Sequence, residues 1–232
     1  MHSALAQDPP VSEIVIQDGG STDGSRDVAE SFGDARIRFV SEPDAGQSDA
    51  LNRAIAKATG DWVIWLNVDD LLYPGLTAQA ADDVDVVYGD FDWIDQDGAV
   101  VRHMTPGAPL TADRLLAEGC FFFSGAALFR RDLLRRVGPI DMTLRYTMDY
   151  ELYLRFADTA RARYVPRTLG AFRIHGDSKT SGLTWGIVRE TARVRRRYGG
   201  YGPRTRRAVL VNQAKQVVDV LTLPVRARLG WR

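Results

Sequence analysis

Residues 61–73 read DWVIWLNVDDLLY, an apolar run that ends in two adjacent carboxylates, Asp69 and Asp70, before apolar residues resume. Two ionised carboxylates side by side at the end of a buried strand repel each other, so a positive partner is expected to share the place. A second acidic segment, DGGSTDGS at 18–25, closes the apolar run EIVIQD. Its Gly, Ser, Thr and Asp residues are good turn formers, and Asp23 is placed to cap the helix that follows. The position of Asp18 says more than the composition of its loop. It ends one strand as Asp69 and Asp70 end another, and open α/β sheets bind their ligands at such strand ends.

The elements that must hold these carboxylates are legible from periodicity. In the first third, β-branched apolar runs alternate with helical patterns, which is the mark of βα units and a mainly parallel sheet. Strands are expected at 13–18, 37–42 and 61–68. Helices are expected around Arg26 to Phe32 and through Leu51, Ala54, Ile55 and Ala58, the second stopped by Gly60. Pro74 is expected to open another helix. VDVVYGDFDWID and AVVRHM bracket the turn QDG as two paired strands. Further helices are expected at Thr111 to Glu118, in RRDLLRRVGPID and in MDYELYLRFA, with the apolar CFFFSGAALF as interior. Beyond His175 the chain reads as a basic helix, a Gly-rich break (YGGYGP) and an amphipathic helix from Arg206 to Leu223. The opening MHSALAQDPP reads as the last turns of a helix with no strand before it.

The 232 residues, 45% apolar and 26% charged, suit one well-buried domain with an appendage. The division expected is 1–185 for the α/β domain and 186–232 for a basic helical extension. Cys120, the single cysteine, cannot form an internal disulfide; its apolar neighbours suggest a packing role, and the count suggests a reducing, cytoplasmic setting. The formal net charge of zero hides an asymmetry. From Gly186 onward twelve basic residues face only Glu190 and Asp219, so the tail is about +10 and the body about −10. Such a tail suits an anionic membrane surface, which would make the protein peripheral at the inner face of the membrane. A solvated face folded back on the acidic body is the plainer alternative. Nucleic acid is a poorer partner, because no recognition fold accompanies the charge.

Five blocks in order, IVIQDGGSTDGS, DAGQSDALNRAIAKATGDWVIWLNVDD, VVYGDFDWIDQDG, SGAALFRRDLLRRVGPIDMTLRYTMDYELYLRF and FRIHGDSKT, resemble the family 2 glycosyltransferases with the GT-A fold. The resemblance covers most of the chain. It implies a Rossmann-like sheet flanked by helices, and it implies that the family's first strand and most of its first helix are missing here. It also implies that Asp18, with Ser21, holds the base and ribose of a nucleotide-sugar. NVDD stands at the family's D-x-D-type metal motif, with Asn67 in place of the first acid, leaving Asp69 and Asp70 to meet Mn²⁺ or Mg²⁺ and the donor diphosphate. Asp149 falls at the family's general base, although Met148 replaces the more usual Glu before it. His175 falls where several enzymes of this fold complete the metal or diphosphate site, or is simply a surface-loop histidine. Asp49 and Asn52 are open to nucleotide contact and to helix capping alike.

The implied reaction is inverting transfer of a sugar from a nucleoside diphosphate sugar to a hydroxyl of a glycan or lipid-linked acceptor, as in cell-surface polysaccharide, lipopolysaccharide or glycolipid assembly. Two rivals stand beside it. One is a non-catalytic relative that only binds nucleotide-sugar or glycan, and the other is a sugar nucleotidyltransferase, which would release pyrophosphate.

Overall fold

The apolar alternation of the N-terminal third yields two parallel strands, β1 (Ile14–Asp18) and β2 (Ile37–Ser41), in register from Ile14 opposite Ile37 to Asp18 opposite Ser41. A short helix α1 (His2–Leu5) precedes them, and α2 (Ser25–Glu30) joins them. The computed structural model describes residues 1–175, 185–199 and 202–228, with side chains of the last helix described through 218. Residues 176–180 of the FRIHGDSKT block and Gly200–Tyr201 of the Gly-rich break lie outside the described residues.

A second sheet of six strands carries the rest: β3 (Trp62–Val63), β4 (Leu71–Leu72), β5 (Val86–Ile94), β6 (Val100–Met104), β7 (Ala127–Arg130) and β8 (Ala162–Arg173), with the order β3-β7-β5-β8-β4 and β6 beside β5. The α/β class holds, but the expectation of a mainly parallel sheet needs correction. β1–β2 and β5–β8 are parallel, whereas β3–β7, β5–β7, β4–β8 and β5–β6 are antiparallel. The hairpin that forms β5 and β6 and the late return of β8 interrupt the βα alternation of the first third.

The apolar run before Asp69 is laddered only at Trp62 and Val63, opposite Arg130 and Phe129. Beyond them the run keeps its alternation without a ladder. Ile64 and Leu66 pack on one core while Trp65 is buried in the other. The helix expected after Pro74 is a single 3₁₀ turn, Thr77–Gln79, consistent with the glycine next to the proline: Gly75 has φ 89, outside the helical range. β8 went unnoticed in the sequence because Pro166 and alternating arginines disguise it. Its close approach to β5 has no room for a side chain: a Cβ on Gly89 would lie 2.5 Å from a Leu169 methyl.

The larger core lies where α4 (Ala112–Glu118), α5 (Arg131–Val137) and α6 (Met148–Phe156) cover the six-stranded sheet, with Tyr153 stacked on Phe122 at 4.2 Å. Two further helices, α7 (Trp185–Arg197) and α8 (Pro203–Arg228), lie against this layer. Val194 and Val209 are buried in its core. Among the described residues no helix is long and apolar enough to cross a membrane.

Candidate active site

Asp70 is buried, 3% exposed, and both of its oxygens are occupied. The backbone N–H of Arg173 donates to Oδ1 (2.8 Å) and the Asn67 amide to Oδ2 (2.7 Å). Burial raises the Asp70 carboxyl to about 6, against the lowering effect of those hydrogen bonds. Asn67, at the first position of the acidic motif, therefore steadies its last carboxylate. Asp69 is more open, and its Oδ2 lies 3.0 Å from His175 Nε2. Arg173 ties the segment down: its Nε donates to the Asp69 carbonyl (2.8 Å) and its Nη1 to the carbonyls of Asp95 and Gln96.

Among the described residues no three His, Cys, Asp or Glu side chains cluster as a metal site. The donor set still suits a hard divalent ion. Mg²⁺-type ions take only one or two protein carboxylates beside water and phosphate, and Asp69 would offer one such carboxylate. His175 Nε2, hydrogen-bonded to Asp69 Oδ2, is the neighbouring donor.

Asp18 organises its own loop. Oδ2 accepts the N–H groups of Gly20 (3.0 Å) and Ser21 (2.9 Å) and the Ser41 hydroxyl (2.6 Å), while Oδ1 accepts the Ser21 hydroxyl (2.5 Å). These bonds, led by the Ser21 hydroxyl, hold its carboxyl far below the usual carboxylate range.

Asp149 lies in the first turn of α6. Its Oδ1 accepts the Tyr150 N–H (2.7 Å) and its Oδ2 is 3.8 Å from Cys120 Sγ. Burial raises the carboxyl despite the Tyr150 and Cys120 hydrogen bonds, and the charge of Glu190 adds to the rise. Cys120 is exposed rather than packed in the interior; it follows Gly119, which ends α4 at φ 91.

These segments converge on the start of one helix, α3 (Gln47–Lys57). The Gln47 amide donates to Asn67 Oδ1 (3.1 Å), while the next residue, Ser48, donates to Met148 Sδ (2.9 Å), beside Asp149. On the other side, Asp44 in the loop before α3 sits over Gly19, with a carboxylate oxygen 3.0 Å from where a Cβ would stand. Asp49 and Asn52 build this hub. Asp49 accepts the Ala45 N–H and pairs with Arg53 at 2.8 Å. Asn52 bonds both the N–H (2.8 Å) and the carbonyl (3.0 Å) of Ile140.

Sequence reasoning missed two groups. Glu190 accepts the N–H groups of Arg145 (2.9 Å), Tyr146 (2.6 Å) and Thr147 (2.8 Å), fixing the loop before Asp149; a lone Glu in an arginine-rich helix gives no sequence signal. Asp90 and Asp92 are buried on one face of β5, meeting the Tyr164 hydroxyl (2.5 Å) and the Tyr73 hydroxyl (3.0 Å), and His103 Nδ1 lies 2.7 Å from Asp92. The GDFDW alternation was the available signal for that face.

Residues 1–138 match the family model described as glycosyl transferase family 2, and the chain belongs to that family. It is similar to an uncharacterised glycosyltransferase of Rickettsia typhi, 30% identical over 77% of this chain and 59% of that protein. It is also 33% identical, over 62% of this chain and 57% of the relative, to a PGL/p-HBAD biosynthesis glycosyltransferase of Mycobacterium tuberculosis. The chain thus spans under two thirds of the length of these relatives. Its fold is the GT-A fold of solved glycosyltransferases. These include Staphylococcus aureus TarS in complex with UDP-GlcNAc (TM-score 0.62, 17% identity, 78% of this chain and 57% of that one). A second is a Pyrobaculum calidifontis mannosyltransferase in complex with GDP-Man and Mn²⁺ (TM-score 0.58, 21% identity, 93% of this chain and 64% of that one).

Proposed function

We propose that this glycosyltransferase moves a sugar from a nucleoside diphosphate sugar to a hydroxyl on a glycan or lipid-linked acceptor, with inversion at the anomeric carbon. The observation that carries the reading is the hub at the start of α3, where Gln47 holds the NVDD segment and Ser48 holds the residue before Asp149. A donor-phosphate group and a proton acceptor are thereby served by neighbouring residues of one helix.

In this reading the Asp18 loop receives the nucleotide with Ser21, and Asp69 with His175 holds a Mn²⁺ or Mg²⁺ ion. When bound, the ion supplies positive charge to the departing diphosphate. Asp70, expected as a metal ligand, has its oxygens bonded to Asn67 and Arg173, and in this reading it anchors the segment that carries Asp69. Asp149 takes the proton of the acceptor hydroxyl as that oxygen attacks the anomeric carbon, and its raised pKa makes it a stronger base than an ordinary carboxylate. Asp49 and Asn52 act by holding the hub. The division into a transferase domain, 1–185, and a basic extension, 186–232, goes with this reading, although Glu190 joins the two at the base loop.

The test is incubation of the chain with UDP- and GDP-sugars and Mn²⁺, following nucleotide release with and without hydroxyl acceptors. Nucleoside diphosphate release that depends on Asp149 supports transfer. Pyrophosphate release would make the protein a nucleotidyltransferase. Donor binding without turnover under any acceptor would leave a nucleotide-sugar-binding relative.

A further inference from the structure

We propose that the outward surface of α7 and α8 is a docking face for an anionic lipid bilayer. On α7 the exposed residues Trp185, Arg189, Arg193 and Arg196 recur at spacings of four, four and three, which places them on one side of the helix. The other two arginines of that stretch are partnered or enclosed: the exposed Arg197 pairs with Asp141 at 2.6 Å, and Arg195 is 1% exposed with Asn212 beside it. The outward three have no carboxylate within ion-pair distance among the described residues. α8 continues the surface, since Arg196 and Arg206 line one shallow cleft together with Leu210. Like charges gathered without a counter-ion call for an anionic partner.

The apolar residues decide which anion. Trp185 is 44% exposed on α7, and Leu210 61%, Val211 52% and Val218 52% on α8, the helix that also exposes Arg204, Arg206, Arg207 and Lys215. A nucleic acid backbone would neutralise the arginines and leave these side chains in water. A bilayer interface takes both, with basic groups at anionic headgroups and Trp, Leu and Val at the acyl boundary.

The test uses the full chain and sedimentable vesicles of phosphatidylcholine, with or without phosphatidylglycerol. It needs no turnover, so its result is separate from that of the transferase reading. Binding is expected only with phosphatidylglycerol and is expected to fall as salt rises. Neutralising Arg189, Arg193 and Arg196 together to Gln should weaken it about a hundredfold, at about fivefold per arginine near a membrane surface. W185S/L210S should weaken it while keeping the salt dependence. Equal binding to phosphatidylcholine, absence of binding to either vesicle, or tighter binding of a short RNA duplex at the same salt overturns the proposal. So does a triple-Gln variant that binds as the unmodified chain does.

Discussion

Glu190 of α7 accepts the backbone N–H of Thr147 at 2.8 Å, two residues before Asp149. With the neighbouring N–H groups of Arg145 and Tyr146 on the same carboxylate, a helix from the far end of the chain fixes the entry to α6. Glu190→Ala removes that acceptor and is expected to cost about 1 to 3 kcal/mol in urea unfolding. Glu190→Gln keeps an acceptor and removes the charge. Burial is the larger reason that the Asp149 carboxyl is raised, but the Glu190 charge contributes. The acid limb of the pH–rate profile should therefore move to lower pH in the Gln variant, a shift that loss of scaffolding alone would not produce.

Asp149→Asn is expected to lower turnover about 10²- to 10⁴-fold, the usual contribution of a positioned base, with donor affinity by calorimetry unchanged. In the unmodified protein, activity should fall with decreasing pH above the ordinary carboxylate range, because a raised pKa means protonation sets in earlier. Full turnover by the Asn variant would remove Asp149 from the mechanism.

The proposed function puts a shared ion at Asp69 and His175, which are hydrogen-bonded to each other at 3.0 Å. Thermal stabilisation by Mn²⁺ together with UDP should be lost in Asp69→Asn and reduced in His175→Ala, and a chelator should reverse it in the unmodified protein. Equal stabilisation of all three proteins would place the ion elsewhere.

Asn52 bridges to both backbone groups of Ile140 across 88 residues. Asn52→Ala should destabilise the fold by about 2 kcal/mol, since both bonds are lost at a partly buried site. An unchanged urea midpoint would show that water replaces them without cost.

Acid should loosen the contact between α7 and the loop before α6. Burial tends to raise the Asp141 carboxyl, but the Arg197 guanidinium and the Thr143 hydroxyl and N–H outweigh it and bring it from 3.8 to about 2. A folded-state pKa below the unfolded one gives stability that is present above the unfolded value and lost as pH falls towards the folded one. Arg197→Ala should shrink the stability difference between neutral pH and pH about 2, which acid titration followed by circular dichroism would reveal.

Most of the fold was legible because its signals are local. The hairpin of β5 and β6, helices α3 to α6 and the basic C-terminal helices follow from spacing, and the order of the acidic blocks carried the family. β8 escaped because Pro166 and interspersed arginines hide a strand that only its neighbours define. The ladder expected through residue 68 stops at Val63 because hydrogen bonding depends on where β7 runs, which the segment itself does not encode.

The sequence by itself determined which carboxylates exist and on what kind of element each one sits, since apolar periodicity and turn chemistry act within a few residues. Tertiary structure alone decided their states. Asp70 is buried and hydrogen-bonded while Asp69 stays more open beside His175, and Arg173, which bonds both residues, arrives from more than a hundred residues away. Burial, charge proximity and acceptor sharing are properties of distance in space, and adjacent residues with the same side chain take different roles when different parts of the chain pack against them.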